Sequence, residues 1–400
     1  MQDYEKIWRH AETLPWCTLV TTGRVGTDFF QSLLDSHPEI YVFNGVLFFH
    51  QFWENSACAR NPDGIDPAEL ADEFIGQHLE KLKSRHDHQE RKDQLGENKD
   101  QSVDVDLPQF REHLTGLLAR RPVTSKNTLS AVYIAYALCL GQDLSTKKLF
   151  FHHIHHIWKL DRYLADFPDS KIISMTRDPR ATFVSGIENW RKYNAQEDHP
   201  ARVLFVLNRT LEDASALKAT SPEKFHVLRL EDLGDEAILH EVCDWLGVAY
   251  DGCLKKSSWA GLRWWGDRLS PKEIPKEEEG FSATITNNNW QQRLGWVDRY
   301  VLNYLMADRL AWYGYAVKPA SGIVAGLLVF ALILLPMTYE RRFFLPGFIW
   351  YCIKTTHYKR VVVGPVYYII RLALSYKFLF RKWSGTRFEL PVFRSLKDAP

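Results

Sequence analysis

The chain has 400 residues, enough to bury a substantial core in one large domain or two ordinary ones. Its 50 basic and 49 acidic residues nearly cancel, so no overall positive charge favours a nucleic-acid partner. Six cysteines are scattered without Cys-x-x-Cys or zinc-finger spacing, which indicates reduced thiols rather than a disulfide framework or a zinc site. The N-terminus is charged and has no apolar segment, so we expect no signal peptide and a cytoplasmic globular part.

Four strand-like segments occur between residues 1 and 318, and segments with helical periodicity separate them. They read WCTLVTT, KLFFHHI, SKIISMTR and KFHVLRL in chain order. Alternating strands and helices predict an α/β domain over residues 1–318, built on a parallel sheet flanked by helices. Residues 84–106 are polar, dense in charge and nearly free of large apolar side chains. That composition predicts a solvated helix end or a mobile loop, with a recognition element for a substrate as the alternative.

A glycine-containing turn, VTTGRVGTDFF, follows the first strand and leads into a segment with helical spacing. A strand that turns through glycine into a helix N-terminus presents backbone N–H groups and the positive end of the helix dipole. Such a turn binds phosphate groups. It is not a Walker A loop, because no Gly-Lys-Ser/Thr follows. An ordinary strand-to-helix turn is the alternative.

A second such junction is KIISMTRDPRATFVSG, residues 171–186. Its strand ends at Arg177, and Ser185 stands eight residues further on, at or inside the next helix. The guanidinium fork and the Ser hydroxyl suit a second phosphate group. The alternative is an Arg-Asp turn pair in which Asp178 caps the helix.

Four histidines occur in the segment FFHHIHHIW, residues 150–158. On a strand, His153 and His155 point to the same side. A neutral imidazole accepts a proton near pH 7, so either side chain is a candidate general base. Metal binding by the four histidines and a purely structural role are the alternatives.

These segments resemble the two cofactor signatures of the sulfotransferase superfamily, whose members use 3′-phosphoadenosine 5′-phosphosulfate (PAPS). The first resembles the 5′-phosphosulfate loop and the second the 3′-phosphate loop. FHVLRLEDLGDEAILHEVCDWLGV and NNNWQQRLGWVDRYVLNYLMADRLAWYGY follow in the family's order and are similar to its later segments. The resemblance runs from about Pro15 to Tyr315. It implies a P-loop-like fold with PAPS as co-substrate and no metal.

The resemblance also implies roles for single residues. It assigns cofactor binding in the two loops and in the closing segment to Gly23, Arg24, Val25, Gly26, Thr27, Asp28, Phe29, Arg177, Ser185 and Arg293. Arg24 takes the place of the family's basic residue, which stabilises the leaving phosphate. Asp28 departs from the pattern, because a hydroxyl residue is usual there.

The resemblance further bears on the general base. Many glycan and protein sulfotransferases use a Glu at the place that Asn44 and Gly45 occupy here, so that base is missing. His155 stands 22 residues before Arg177, which matches the spacing of the catalytic histidine in cytosolic members. His153 takes the place of a lysine. We therefore predict His155 as the base, with His153 as the second candidate.

Other side chains are weaker candidates. Lys126 is a candidate contact for the donor. Three tryptophans are candidates to line the acceptor site: Trp190, Trp264 and Trp265.

Residues 319–400 differ from the rest of the chain in being hydrophobic and basic. Residues 321–337 carry no charge and as a helix would be about 25 Å long, short of the roughly 30 Å core of a bilayer. A full crossing would leave most of the basic residues behind it on the outside, against the positive-inside tendency. We therefore expect in-plane or re-entrant membrane association, with the globular domain facing the cytoplasm. A buried core helix is the alternative.

The sequence thus predicts a sulfotransferase that acts on a hydroxyl of a membrane-associated acceptor. The expected acceptor is amphiphilic or a glycan, such as a glycolipid, a lipid-linked saccharide or a lipid alcohol. Two alternatives remain: a P-loop kinase-like phosphotransferase, and a non-catalytic, membrane-attached nucleotide-binding protein.

Overall fold

A computed structural model describes residues 3–61, 64–193, 201–212, 222–268, 280–286, 289–315, 322–384 and 392–393. Five parallel strands form the main sheet: β1 (Trp16–Thr21), β2 (Ile40–Val42), β3 (Leu149–His156), β4 (Lys171–Thr176) and β5 (Phe225–Arg229). Their order across the sheet is β2-β3-β1-β4-β5. A short antiparallel pair follows, β6 (Ser258–Trp259) with β7 (Leu262–Arg263).

Helices connect and cover the strands. In chain order they are α1 (Tyr4–Ala11), α2 (Thr27–Leu34), α3 (Phe49–Asn55), α4 (Pro67–Gln77), α5 (Leu79–Leu82), α6 (Leu107–Leu118), α7 (Ser125–Cys139), α8 (Leu160–Asp166), α9 (Pro179–Tyr193), α10 (Ala201–Leu211), α11 (Glu236–Leu246), α12 (Ala283–Thr286), α13 (Trp290–Arg293), α14 (Trp296–Leu305), α15 (Ala307–Trp312), α16 (Ile323–Leu332), α17 (Pro346–Lys354) and α18 (Tyr358–Trp383). The predicted α/β class, with a P-loop-like parallel sheet between helices, is confirmed.

The sheet is buried on both faces at its centre. Every residue of β1 is buried, which is typical of a parallel strand covered by helices on either side. Strand β1 pairs with β3 on one side and with β4 on the other. The carboxyl ends of these three neighbouring strands therefore lie side by side, where ligands bind in open parallel sheets.

The prediction of a solvated segment for residues 84–106 holds for more than half of its residues, which are exposed, but a charged pair within the segment is buried. Arg91 is fully buried, and its Nε donates to the Asp87 carboxylate at 2.9 Å. Its terminal nitrogens donate to backbone carbonyls, including that of Lys81 at 3.2 Å. The apolar side chains of the segment, Leu95 among them, are buried as well. Charge density therefore indicated solvation for most of the segment but did not reveal the buried Arg91–Asp87 pair.

A buried arginine holds the C-terminal region together. Helix α16 has ten residues, about 15 Å of helix. Arg371 on α18 is 2% exposed and pairs with Glu340 Oε2 at 3.0 Å. Its Nη1 and Nη2 donate to the carbonyls of Ile333 at 2.6 Å and Leu335 at 3.1 Å. This network ties the turn after α16 to α18.

One helical stretch, Val361–Trp383, is long and apolar enough to cross a membrane by length and composition. Core helices of soluble proteins can meet the same criterion. Only 22% of its most apolar part is buried, however, so much of its surface is exposed. The predicted domain boundary between residues 318 and 319 lies outside the described residues.

Replacing Arg91 tests whether the polar segment is part of the folded core. We expect Arg91→Ala to lower the free energy of unfolding by about 3–5 kcal/mol, because it leaves Asp87 buried without its partner. Urea denaturation measures the loss. Arg85→Ala is the matched control, since the Arg85 side chain is 56% exposed in a surface ion pair, which contributes about 1 kcal/mol or less. Equal losses in the two variants would contradict the buried role of Arg91.

Candidate active site

The candidate site lies where the segments after β1, β3 and β4 meet. The Gly23–Phe29 loop follows β1, Arg177 follows β4, and the histidines form the end of β3. Because β1 lies between β3 and β4, the loop is flanked by the histidines on one side and by Arg177 on the other. The sheet order thus brings together the groups predicted for both ends of the donor.

The loop after β1 is a cradle of backbone donors. Gly26 caps α2 with a φ of 85°, a left-handed conformation that favours glycine. A Cβ at this position would stand 2.6 Å from Leu230 Cδ1. Within the described part of the chain, the backbone N–H groups of residues 25–29 donate no hydrogen bond. They and the N-terminus of α2 form an arrangement that binds an anionic oxygen group.

The side chains of this loop divide into buried and accessible groups. Val25 and Phe29 are buried in the core, so they can offer a ligand only their backbone N–H groups. Thr21 Oγ1 donates to the carbonyl of Gly23 at 3.0 Å and fixes the start of the turn. The Arg24 guanidinium is partly exposed, and its Nη2 stands 3.4 Å from the Asp267 carboxylate.

Arg177 is a buried cation, and no described residue accepts a hydrogen bond from its Nε. Its side chain follows β4 and is 7% exposed, and within the described residues its Nε has no hydrogen-bond partner. Burial lowers the pKa of the guanidinium, while nearby Glu231 acts in the opposite direction. A buried charged group without partners is costly. Its placement is therefore evidence for an anionic ligand.

The predicted alternative, an Arg177–Asp178 turn pair, does not describe the loop. Asp178 does cap α9, accepting from the backbone N–H of Arg180 at 2.9 Å. Its ionic partner is also Arg180, whose Nη2 stands 2.7 Å from Asp178 Oδ2. The carboxylate is thus engaged by Arg180, which leaves Arg177 for another anion.

Ser185 and Arg293 lie near one face of α9. Ser185 is half-buried within that helix, and Glu188 follows one turn later. Arg293, at the end of α13, places Nη1 3.6 Å from Glu188 Oε1. Tyr339 from the C-terminal region donates its hydroxyl to the same oxygen at 3.1 Å. Arg293 is therefore close to the helix that carries Ser185.

The histidines lie on a strand that bulges. Leu19 pairs with His153 and Val20 with His155, so Ile154 is an extra residue on β3. His155 has a φ of 70°, which is uncommon for a residue with a side chain. Bulges and left-handed residues occur next to active sites, where they re-aim a side chain.

A chain of hydrogen bonds fixes the tautomers of His153 and His155. Gln31 Nε2 donates to the carbonyl of Phe43 at 2.6 Å, so its Oε1 faces His153 as an acceptor. His153 Nδ1 donates to that oxygen at 2.9 Å, which leaves Nε2 of a neutral His153 as an acceptor. His155 Nδ1 stands 3.3 Å from this Nε2 and must donate to it. The remaining nitrogen, His155 Nε2, is then the basic atom.

Both imidazoles are held neutral. Burial lowers the pKa of His155 to about 3, and the charges of His156, Arg24 and Arg209 act in the same direction. Burial likewise holds the pKa of His153 well below its usual range. A bound anion next to His155 would act in the opposite direction, because it stabilises the imidazolium.

Asp28 sits at the start of α2 beside the same histidines. Its Oδ1 is 3.6 Å from His153 Nδ1 and, among the described residues, makes no hydrogen bond. Burial and the nearby Glu90 raise the pKa of Asp28 to about 7, and Arg24 opposes them. Near neutral pH the carboxyl is thus partly protonated, which reduces its repulsion of an anionic ligand.

The remaining sequence candidates lie elsewhere. Trp264 and Trp265 are buried, and their indole N–H groups donate to the carbonyls of Glu90 and Gly96 at 2.8 and 2.7 Å. Their predicted role in lining the acceptor site is therefore wrong. Lys126 lies over Phe167, which precedes the amino end of β4, at the opposite edge of the sheet. The Trp190 side chain lies outside the described part of the structure.

The four histidines do not converge. His152 points away from His153 and bonds the Tyr133 hydroxyl at 2.8 Å. No group of three or more His, Cys, Asp or Glu side chains within the described residues is placed to hold a metal ion. Sequence reasoning missed Gln31, because nothing local in the chain links it to His153, 122 residues away.

Comparison with known proteins identifies the class. Residues 17–252 match the model of the sulfotransferase family. This match covers more than half of the chain, and the protein belongs to the sulfotransferase family. The predicted enzyme class is confirmed, and this favours sulfonate transfer over the kinase-like and non-catalytic alternatives.

Two solved structures are similar to the chain. The sulfotransferase domain from the curacin biosynthetic pathway is 15% identical, with a TM-score of 0.40, and the match covers 70% of this chain and 96% of that one. The sulfotransferase domain from the Synechococcus PCC 7002 olefin synthase is 15% identical, with a TM-score of 0.35 and coverage of 79% and 94%. A comparison with curated proteins gave no match.

Proposed function

We propose that the enzyme transfers a sulfonate group from PAPS to a hydroxyl of an amphiphilic or glycan acceptor at a membrane surface. The observation that carries the choice of donor is Arg177, a buried guanidinium without a hydrogen-bond partner to its Nε among the described residues. Arg177 follows β4. The neighbouring strand, β1, leads into the Gly23–Phe29 loop, where the backbone N–H groups of residues 25–29 donate no hydrogen bond within the described residues. Two separate anion sites on neighbouring strands suit a donor with two separate phosphate groups.

The residues at the site can account for both phosphate groups of PAPS. The Gly23–Phe29 loop would hold the 5′-phosphosulfate through its backbone N–H groups, with Arg24 alongside. Arg177 and Ser185 would hold the 3′-phosphate, and Arg293 approaches from α13. The guanidinium offers a planar fork of donors that matches a phosphate group.

The bound donor supplies an electrophilic sulfur with a phosphate as its leaving group. His155 Nε2 accepts the proton of the acceptor hydroxyl as that oxygen attacks. Gln31 and His153 hold His155 in the tautomer that leaves Nε2 free. Arg24 and the loop N–H groups stabilise the charge that develops on the departing phosphate. Burial of the histidines keeps water from competing for their hydrogen bonds.

Helix α16 and the turn after it support in-plane membrane attachment, and we propose that the catalytic domain faces the cytoplasm. Helix α16 spans about half of a bilayer core. The bonds from Arg371 to the carbonyls of Ile333 and Leu335 hold the chain in a turn directly after it. Exposed apolar residues such as Ile323 and Trp350 remain available to lipid. This location favours an acceptor that is itself a glycolipid, a lipid-linked saccharide or a lipid alcohol.

Donor binding can be tested on the detergent-solubilised protein by calorimetric titration with 3′-phosphoadenosine 5′-phosphate. We expect Arg177→Met to weaken this binding by about 10- to 100-fold, because a charge-assisted contact to the 3′-phosphate is lost. Binding of adenosine 5′-phosphate, which lacks that group, serves as the control and stays unchanged. If the wild type showed no preference for the 3′-phosphorylated nucleotide, the proposed donor would be wrong.

The proposed base can be tested without knowing the acceptor, by following release of labelled sulfate from PAPS with water as the acceptor. We expect His155→Gln to lower this rate by about 10²- to 10⁴-fold, with nucleotide affinity unchanged. In the wild type, the neutral imidazole is active and protonation inactivates it. The pH dependence of kcat/KM for PAPS reports the free enzyme, in which the pKa of His155 is lowered. We therefore expect kcat/KM to stay level as the pH falls to about 6.5, the ordinary imidazole value, and to decline only below it. A decline that begins above pH 7, or an active variant, would exclude His155.

Membrane topology can be tested with a cysteine placed in the turn after α16, Leu335→Cys. Leu335 is exposed in the structure. For in-plane attachment, a membrane-impermeant maleimide fails to label this cysteine in intact cells and labels it after permeabilisation. Labelling in intact cells would mean that the chain crosses the membrane before residue 335.

A further inference from the structure

An aromatic patch borders the proposed base. Among the described residues before residue 322, the exposed large hydrophobic side chains are Phe48, Trp158, Phe205 and Trp296. Phe48 and Trp158 stack on His156, the neighbour of His155. Phe205 joins them through Arg209, whose guanidinium stands over both Trp158 and Phe205. Isolated exposed aromatics need no explanation, but a cluster beside a catalytic group points to a ligand.

The rings form a nearly parallel stack. The His156 imidazole lies 4.5 Å from the Trp158 ring with an interplanar angle of 14°, and 5.6 Å from the Phe48 ring with an angle of 21°. His155 is 4.8 Å from His156 by ring centroids. The Trp158 side chain is 52% exposed. The His156 imidazole covers one face of the Trp158 ring, yet about half of Trp158 remains open to solvent, three residues after the base.

Arg209 adds a cation to this patch. Its guanidinium stands 4.8 Å from the Trp158 ring centroid and 4.0 Å from that of Phe205. Its Nε is buried without a hydrogen-bond partner, and the described residues offer it no carboxylate within ion-pair distance. Burial lowers the pKa of Arg209 to about 10, and its charge in turn acts on His155. The cation is thus close to the base and available to an anion.

The position of the patch separates it from the donor site. Arg177 follows β4, whereas His156 ends β3 and Trp158 follows it, and β1 with its loop lies between them. Phe205 and Arg209 lie on α10, from which Arg209 reaches Trp158. A donor that spans the β1 and β4 loops leaves the β3 side to the other substrate. The anion partner of Arg209 therefore belongs to the acceptor.

We infer that Phe48, His156, Trp158, Phe205 and Arg209 form the acceptor site, and that the acceptor is an acidic saccharide. Its ring packs against the exposed part of Trp158, and a carboxylate or phosphate next to the ring pairs with Arg209. This inference rests on the proposed sulfonate transfer and narrows its acceptor. An acidic acceptor is repelled by the anionic donor, and Arg209 offsets that repulsion at the point where the two substrates meet.

The test uses full-length protein saturated with 3′-phosphoadenosine 5′-phosphate, to which saccharides are added and binding is measured by calorimetry. The probes are glucose, glucuronate and glucose 1-phosphate, with inorganic phosphate alone as a fourth. We expect both acidic sugars to bind at least about tenfold more tightly than glucose, and glucose 1-phosphate more tightly than phosphate, since a charge pair and a stacked ring each contribute 1 kcal/mol or more. Glucuronate and glucose 1-phosphate then distinguish the carboxylate from the phosphate source.

Variants assign the effect to the patch. Arg209→Gln abolishes the preference for acidic sugars, and Arg209→Lys retains part of it because it keeps the charge. Trp158→Ala weakens binding of every sugar. Trp296→Ala, a change at an exposed tryptophan outside the patch, leaves binding unchanged. Nucleotide affinity stays at the wild-type value in all four variants, which separates the acceptor site from the donor site.

Three outcomes would overturn the inference. Equal binding of glucose and the acidic sugars would show that the acceptor does not need an acidic group. If Arg209→Gln and Trp158→Ala bound the sugars as tightly as the wild type, or if no sugar bound at all, the patch would not be the acceptor site. In each case retained binding of 3′-phosphoadenosine 5′-phosphate leaves the proposed donor intact, whereas failure of that first titration would remove the proposed function itself.

Discussion

The parallel pairing of β1 with β3 and β4 is the constraint on which the candidate site depends. Parallel strands end on the same edge, so segments more than a hundred residues apart in the sequence meet there. The Gly23–Phe29 loop occupies the middle, with a cation that follows β4 on one side and imidazoles from β3 on the other. If another strand stood between β1 and β4, Arg177 would lie about 4.8 Å further from the loop.

The buried arginines differ in whether a carboxylate pairs with them, and this difference separates structural arginines from a ligand-binding one. Arg91 pairs with Asp87, Arg180 with Asp178, and Arg371 with Glu340, each at 3.0 Å or less. These guanidinium groups have carboxylate partners and hold segments of the chain together. Arg177 is equally buried, but its Nε has no partner among the described residues. The difference in pairing, rather than residue type or burial, marks Arg177 as a ligand-binding group.

Local motifs could be predicted from the sequence, and long-range pairs could not. The strands, the glycine turn and the spacing of Arg177 and Ser185 are features of short segments, and the structure has them where the patterns indicate. Gln31 and Arg209 carry no local signal, because their relevance comes from contacts with residues far along the chain. The prediction for Trp264 and Trp265 was wrong for the same reason. A tryptophan between predicted elements suggests an exposed side chain, and only its distant packing partners show that it is buried. In residues 84–106, composition indicates the exposed positions but does not reveal that Arg91 and Asp87 pair inside the fold.

The lowered pKa of His155 gives the proposed mechanism an order of events. A buried imidazole surrounded by Arg24, Arg209 and other imidazoles has little affinity for a proton, so on its own it is a weak base. Negative charge on the loop beside it stabilises the imidazolium and raises that affinity. His155 is therefore a competent base chiefly when the donor is in place, and the acceptor hydroxyl is activated where a sulfonate is available. Besides burial, Arg24 and Arg209 lower the pKa of His155 in the free enzyme. The same two cations would hold the anionic donor and the anionic acceptor, so substrate binding and the basicity of His155 are linked.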